Sequence, residues 1–204
     1  MIVTEAIYDV RESHNCAWTF DTYFKNMVRV LLNLRADPNK ADNNGHTPLY
    51  YSARRGYTKV VQLLLDFGAQ PNKAGERTWT QPGWTPLHGA ADFGADIATV
   101  QILLDRGAEP NKTDKYGITP LHLAAINGPK EMSQALLNAG ADPNMVDDEG
   151  MTPLHKAAIW GKRDVYQVLL DGGGDPHRAD IFGRIPLSYA GLQGFPQSES
   201  CVLI

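Results

Sequence analysis

The chain has 204 residues, with 23 Asp and Glu against 19 Lys and Arg and a formal net charge of −4. This weakly acidic balance argues against nucleic-acid binding as the main function, because phosphate-binding surfaces need an excess of positive charge. No run of about 18 apolar residues occurs and the first residues lack the basic start and long apolar core of a signal peptide, so we predict a cytoplasmic protein.

We predict two helical segments in the N-terminal part, one around residues 16–22 and one at 27–32. Residues 27–32 match residues 60–65 at an offset of 33, so we interpret 9–41 as a degenerate N-terminal cap repeat that follows a leader, 1–8. The alternative is an unstructured leader through about residue 23. Arg35 stands where later copies have Gly, which costs about 1 kcal/mol if the left-handed conformation is kept.

A unit of 33 residues then recurs, and residues 114–146 show it most clearly. Thr119 is typical of a helix N-cap and Pro120 of the first helical position. Gly128 ends this helix, and a second helix ends at Gly140, a residue suited to the left-handed conformation. Asp142-Pro143-Asn144 turns the chain into a loop. Each helix is too short to be stable alone, so copies must stack.

A fixed period of this length predicts a stacked repeat array. In the third copy, five additional residues, 75–79, lengthen the loop before Thr80, and insertions of this kind map to loops. The last copy supplies only a first helix and acts as a C-terminal half repeat. The predicted units are the repeats 42–74, 75–113, 114–146 and 147–179, the half repeat 180–192 and a flexible tail, 193–204.

The first helices of these units open with a shared four-residue motif. It stands at Thr47-Pro48-Leu49-Tyr50, Thr85-Pro86-Leu87-His88, Thr119-Pro120-Leu121-His122, Thr152-Pro153-Leu154-His155 and, in a degenerate form, Ile185-Pro186-Leu187-Ser188. These sequences resemble the T-P-L-H motif of the ankyrin repeat family. The resemblance implies an all-α solenoid of stacked helix-turn-helix pairs with projecting β-hairpin fingers, which binds a partner protein on its concave face without catalysis. It also implies that the His of the motif braces the turns by hydrogen bonds.

The resemblance implies where the partner binds, because finger residues and the residues that end the first helix line the concave face in this family. Polar residues would suffice there, yet this chain carries aromatic and large apolar ones, which is typical of a protein-binding surface. The alternative is that several of them pack on neighbouring fingers and helices. The predicted contact residues are Arg54, Arg55, Trp79, Trp84, Phe93, Tyr116, Ile126, Met151, Ile159, Trp160 and Phe182.

Three histidines, His88, His122 and His155, recur once per unit and raise the question of a metal site. Metal coordination needs ligand distances near about 2 Å, whereas stacked repeats hold equivalent residues about 10 Å apart, which favours the structural role. No catalytic triad, phosphate-binding loop or paired carboxylate stands out from the repeat pattern. We therefore predict no enzyme activity, no cofactor and no metal.

The C-terminal residues, from Cys201 to Ile204, match the C-a-a-X prenylation pattern, although Ile is not a usual last residue. The flexible tail makes the Cys201 thiol accessible, but no basic residues or second cysteine nearby strengthen membrane binding. The first interpretation is a monomeric cytoplasmic adaptor that binds a protein. The alternative is a prenylated, membrane-tethered adaptor or a bacterial effector delivered into a host, and membrane contact depends on lipidation of Cys201.

Overall fold

The computed structural model describes residues 17–75 and 83–190, and only the backbone of 17–23 and 190. None of the helices in these ranges is long and apolar enough to cross a membrane. The described part contains ten helices: α1 (Ala17–Asn33), α2 (Pro48–Arg54), α3 (Thr58–Asp66), α4 (Pro86–Asp92), α5 (Ile97–Asp105), α6 (Pro120–Asn127), α7 (Lys130–Asn138), α8 (Pro153–Ile159), α9 (Arg163–Asp171) and α10 (Pro186–Ala190).

The helices α2, α4, α6 and α8 begin as the sequence predicts, at a threonine followed by a proline. Each threonine has an extended backbone, and its hydroxyl accepts a hydrogen bond from the backbone N–H three residues later. In α4, α6 and α8 the histidine at that third position also accepts a bond from the threonine backbone N–H. Two of the N–H groups that a helix start leaves without partners are thereby satisfied.

The helices pack in two rows. Consecutive members of α2, α4, α6, α8 and α10 contact each other, and so do consecutive members of α1, α3, α5, α7 and α9. The leucines at equivalent positions of each row are fully buried, so every helix hides its apolar side against the next copy. These leucines are Leu49, Leu87, Leu121 and Leu154 in the first row and Leu64, Leu103, Leu136 and Leu169 in the second. The predicted all-α repeat array is confirmed.

Asparagine side chains connect the loops of consecutive copies. The Asn39 amide donates to the carbonyl of Gly68 at 2.9 Å and accepts from the backbone N–H of Gln70 at 2.7 Å. The same pair of bonds recurs at Asn72, Asn111 and Asn144. Each pair satisfies backbone groups that follow the C-terminal end of the second-row helix in the next copy.

The prediction of two separate helices at the N-terminal end is wrong. One continuous helix, α1, covers 17–33, and Cys16 lies outside the described residues. No glycine or proline separates 16–22 from 27–32, so nothing interrupts the i to i−4 hydrogen bonds. At the end of α1, Arg35 has φ +64°, as glycines have at the equivalent places of later copies.

The lengthened loop begins one residue later than predicted. The backbone N–H of Gly75 donates to the carbonyl of Trp84 at 3.1 Å, and that of Gly83 donates to Gly75 at 2.7 Å. The turn of the preceding copy makes the same two bonds between Asp42 and His46 and between Gly45 and Asp42. Gly75 therefore takes the place of the turn aspartate, and residues 76–82, outside the described part, replace only two residues of that turn.

Candidate protein-binding surface

The residues that end the first-row helices form a continuous line, which we call the helix-end row. Arg54 lies over the ring of Phe93, with its guanidinium carbon 3.8 Å from the ring centre. The Asn127 amide donates to the Asp92 carboxylate at 2.8 Å, so the second and third members of the row are also in contact. The row comprises Arg54, Arg55, Asp92, Phe93, Ile126, Asn127, Ile159 and Trp160.

Two aromatic rings of the helix-end row face solvent. Phe93 is 50% exposed and Trp160 is 58% exposed. Ile126 and Ile159, which stand directly before Asn127 and Trp160, are half-buried. Aromatic rings with this much free surface can bury apolar area against another protein without first breaking core contacts.

A second line, the finger row, runs along the turns that precede the first-row helices. At the turns that begin with an aspartate, the Oδ1 atom of that residue accepts two backbone N–H groups; Asp114 accepts from Tyr116 at 2.8 Å and from Ile118 at 2.9 Å. The backbone N–H of Asp148 donates to the carbonyl of Tyr116 at 2.9 Å, which joins one turn to the next. The finger row comprises Lys115, Tyr116, Asp148, Glu149, Ile181 and Phe182.

Cationic side chains cover the aromatic rings of the finger row from one side. The Lys115 ammonium lies 4.7 Å from the centre of the Tyr116 ring, and Arg184 lies 4.5 Å from that of Phe182. Tyr116 is 44% and Phe182 is 66% exposed, as is Ile181 at 64%. The sequence-based contact set left out Ile181, although it shares its turn with Phe182.

The expected exposure of Trp84 and Met151 is wrong, because both side chains are 7% exposed. Each stands immediately before the threonine of its helix, a position at which His46 is also buried. The Met151 carbonyl accepts a bond from Asp147, so this residue closes the turn on its inner side. Neither side chain can serve as a partner contact without leaving the core.

The hydrogen bond of Trp84 compensates for a missing donor in the next copy. The Oδ2 atom of Asp42 accepts from Tyr51 at 2.7 Å, and that of Asp147 pairs with Lys156 at 2.6 Å; both donors stand nine residues after the aspartate. Nine residues after Asp114 the chain has Leu123, which cannot donate. The Trp84 indole of the preceding copy donates to Asp114 instead, at 3.1 Å. The apolar residue at 123 was the sequence signal for this role.

The motif histidines brace consecutive copies, as the resemblance implies. The Thr119 backbone N–H donates to Nδ1 of His122 at 3.2 Å, and Nε2 lies 3.0 Å from the Met151 carbonyl. Because Nδ1 accepts, the proton of the neutral ring is on Nε2, which donates to that carbonyl. Burial lowers the pKa of His122 to about 4, and has the same effect on His88.

Tyr50 stands where the other copies have histidine, and it packs differently. Its buried ring stacks on the His46 ring, with centres 3.8 Å apart and planes 6° apart. A Cβ atom on Gly89 of the next copy would lie 3.0 Å from the Tyr50 ring. Leu123 and Lys156 occupy the equivalent of Gly89 in later copies, so the larger tyrosine is matched by the absence of a side chain opposite it.

Two residues of the predicted site, Trp79 and Cys201, lie outside the described residues. Within 17–75 and 83–190, no group of three or more His, Cys, Asp or Glu residues is placed to hold a metal ion. The remaining predicted contacts, Arg54, Arg55, Phe93, Tyr116, Ile126, Ile159, Trp160 and Phe182, all lie in the helix-end row or the finger row.

Comparison with known proteins agrees with this architecture. A family model described as ankyrin repeats (3 copies) matches residues 14–114 and, in a second overlapping match, residues 87–180. Together the two matches cover well over half of the chain. No curated protein matches it.

Proposed function

The chain belongs to the ankyrin repeat family, and we propose that it is a non-catalytic adaptor that binds a partner protein across the helix-end row and the finger row. Ankyrin repeats are generally protein–protein interaction modules and typically have no enzyme activity. The proposal adds the surface that makes contact and the residues that anchor the partner.

One observation carries this proposal: the exposed aromatic side chains of the described residues are concentrated in the helix-end row and the finger row. Of the five large aromatic residues with substantial exposure in the described part of the chain, only Phe67 lies outside the two rows; the others are Phe93, Tyr116, Trp160 and Phe182. Trp and Tyr rings, together with Arg, supply most of the binding energy at protein interfaces. The proposed contact set is therefore Arg54, Arg55, Phe93, Tyr116, Ile126, Ile159, Trp160, Ile181 and Phe182.

Capture of partner proteins on the immobilised chain, followed by titration against a variant that lacks two of the proposed anchors, tests the proposal. The wild-type chain is immobilised, and the proteins that it retains are identified, purified and titrated against the wild type and the Phe93→Ala/Trp160→Ala variant. We expect the double variant to bind the purified partner at least about tenfold more weakly, since each lost anchor costs about 1 kcal/mol or more.

A control variant, Phe67→Ala, removes an exposed aromatic ring that lies outside both rows. It should bind the partner as the wild type does. Equal binding of the partner by the wild type and the Phe93→Ala/Trp160→Ala variant would mean that the partner uses another surface.

A further inference from the structure

We infer that the partner segment bound by the helix-end row carries an acidic residue next to an apolar one, and that its carboxylate binds Arg54 and Arg55. This inference rests on the proposed function, since it specifies the chemistry of the partner at the same surface. The apolar side chain of the segment would lie against Phe93, the ring on which Arg54 stacks.

The stacking of Arg54 on Phe93 leaves the edge of its guanidinium group oriented to bind a carboxylate. Its guanidinium lies over the exposed Phe93 ring at 3.8 Å, a contact that uses the face of the guanidinium. The N–H donors of a guanidinium lie in its plane and form a fork that matches the two oxygens of a carboxylate. Stacking also fixes the orientation of a long side chain before binding, which lowers the entropy cost of association.

Neither Arg54 nor Arg55 has an anionic partner within the described part of the chain. The ion pairs there involve Arg106, Lys112, Lys156 and Arg184 instead. Asp92 is the acidic residue of the helix-end row: burial raises its pKa and the Arg54 charge opposes that rise, but Asp92 forms no ion pair with Arg54 and its Oδ1 atom accepts from Asn127. The donors of both arginines are therefore available to a carboxylate supplied from outside.

The charges of the two rows also set the direction of the segment. The finger row carries two exposed acidic residues, Asp148 and Glu149, in the repeat 147–179, far along the array from α2. An acidic residue bound there would be repelled, whereas one beside Arg54 and Arg55 is attracted. The carboxylate therefore faces α2, and the rest of the segment runs along the row towards Trp160.

Selection from a random peptide library displayed on phage tests the inference. The complete chain is the target, and the Phe93→Ala/Trp160→Ala variant is used for counter-selection. Peptides that enrich are sequenced and synthesised, and their affinities are measured for the wild type, for Arg54→Ala/Arg55→Ala, and for Lys130→Ala/Arg178→Ala. The last variant removes the same charge at two exposed residues that belong to neither row.

We expect enriched peptides to share an Asp or Glu adjacent to an aromatic or aliphatic residue. Arg54→Ala/Arg55→Ala should weaken their binding about tenfold or more, and Lys130→Ala/Arg178→Ala should not. Replacing the peptide carboxylate by its amide should weaken binding to the wild type by a similar factor and have no further effect on the double Arg variant. The measurement on the wild type establishes the role of the carboxylate without any change in the protein.

Two other results are distinguishable. Peptides that enrich on the wild type but bind the double Arg variant equally well overturn this inference and leave the proposed function standing. Failure of any peptide to enrich over the Phe93→Ala/Trp160→Ala variant counts against the proposed function itself, and the inference falls with it.

Discussion

The indole Nε1 of Trp84 donates a hydrogen bond to Oδ2 of Asp114 over 3.1 Å, and so connects two consecutive repeats. Asp114 is only 8% exposed, and its other oxygen accepts two backbone N–H groups. A buried carboxylate without enough donors is costly, so the tryptophan stabilises the turn that carries Tyr116. Trp84, which the sequence pattern assigns to the binding surface, is therefore buried and stabilises the turn that carries an exposed residue of that surface.

Trp84→Phe should destabilise the protein by about 1–3 kcal/mol, because the phenyl ring preserves most of the packing but leaves Oδ2 of Asp114 without this donor. Urea unfolding measures the change. Trp160→Phe, which alters an exposed ring, is the control and should change the free energy of unfolding by less than about 0.5 kcal/mol. Similar effects of the two substitutions would show that the indole hydrogen bond contributes little.

A second substitution should partly restore the stability lost in Trp84→Phe. Leu123→Tyr places a hydroxyl nine residues after Asp114, as Tyr51 is placed after Asp42. We expect Trp84→Phe/Leu123→Tyr to be more stable than the sum of the two single changes, since the new hydroxyl can donate to Oδ2 of Asp114. Additive single effects in the urea curves would contradict this.

Gly89→Leu should destabilise the protein by about 1–3 kcal/mol, because even a Cβ atom at this position would lie 3.0 Å from the Tyr50 ring. Combining it with Tyr50→His should recover part of the loss, since His88 lies opposite Leu123 in the equivalent pair of the next copies. Thermal unfolding of the two single variants and the double variant gives the coupling energy. Our interpretation of the Tyr50–Gly89 pair fails if no coupling is found.

Arg35→Gly should stabilise the protein by about 1 kcal/mol, because Arg35 is the one described non-glycine residue with positive φ, at +64°. Arg35→Ala is the matched control: it removes the same side chain but keeps a Cβ atom, and should give no gain. Both changes are measured by urea unfolding. Equal stabilisation by Ala and Gly would assign the effect to the lost charge rather than to the backbone.

The free energy of unfolding should fall as the pH decreases from about 6.5 to about 4. Burial lowers the pKa of His88 and of His122 from 6.5 to about 4, so in this window the unfolded chain binds protons that the folded chain does not. The stability is fully present above pH 6.5, and each group contributes a slope of up to about 1.4 kcal/mol per pH unit.

Urea unfolding at a series of pH values measures this slope. His122→Gln should lower the stability near neutral pH but flatten the slope, because one buried imidazole no longer titrates. His177→Gln replaces an exposed histidine in a loop and controls for the substitution itself. A slope that is unchanged in His122→Gln would exclude this histidine as a source of the pH dependence.

Phe93→Ala and Trp160→Ala should each change the melting temperature by only a few degrees, because about half of each side chain is already in water. Trp84→Ala should lower it much more, since it leaves a cavity in the core. Thermal unfolding followed by circular dichroism compares the three variants. If Phe93→Ala and Trp160→Ala unfold as readily as Trp84→Ala, the two rings belong to the core rather than to a binding surface.

The amino-acid sequence by itself determined the repeat and its helices. The Thr-Pro pairs, the glycines after each helix and the 33-residue period are local signals, and the structure has helices α2 to α10 where these signals place them. The error at α1 has the same cause. The match to residues 60–65 predicted a separate second helix at 27–32, but no glycine or proline interrupts the chain before it, so one helix covers 17–33.

Only the tertiary structure decided which aromatic residues face solvent. Trp84 and Tyr116 both belong to finger turns, yet the first is buried and the second is exposed. Trp84 occupies the position before the helix threonine, where His46 and Met151 are buried too, and its indole donates to Asp114 of the next copy. This hydrogen bond joins residues 30 positions apart in sequence and depends on how one copy stacks on the next. A periodic sequence pattern gives each position its place in the unit, while the stacking of neighbouring copies decides whether that place is buried.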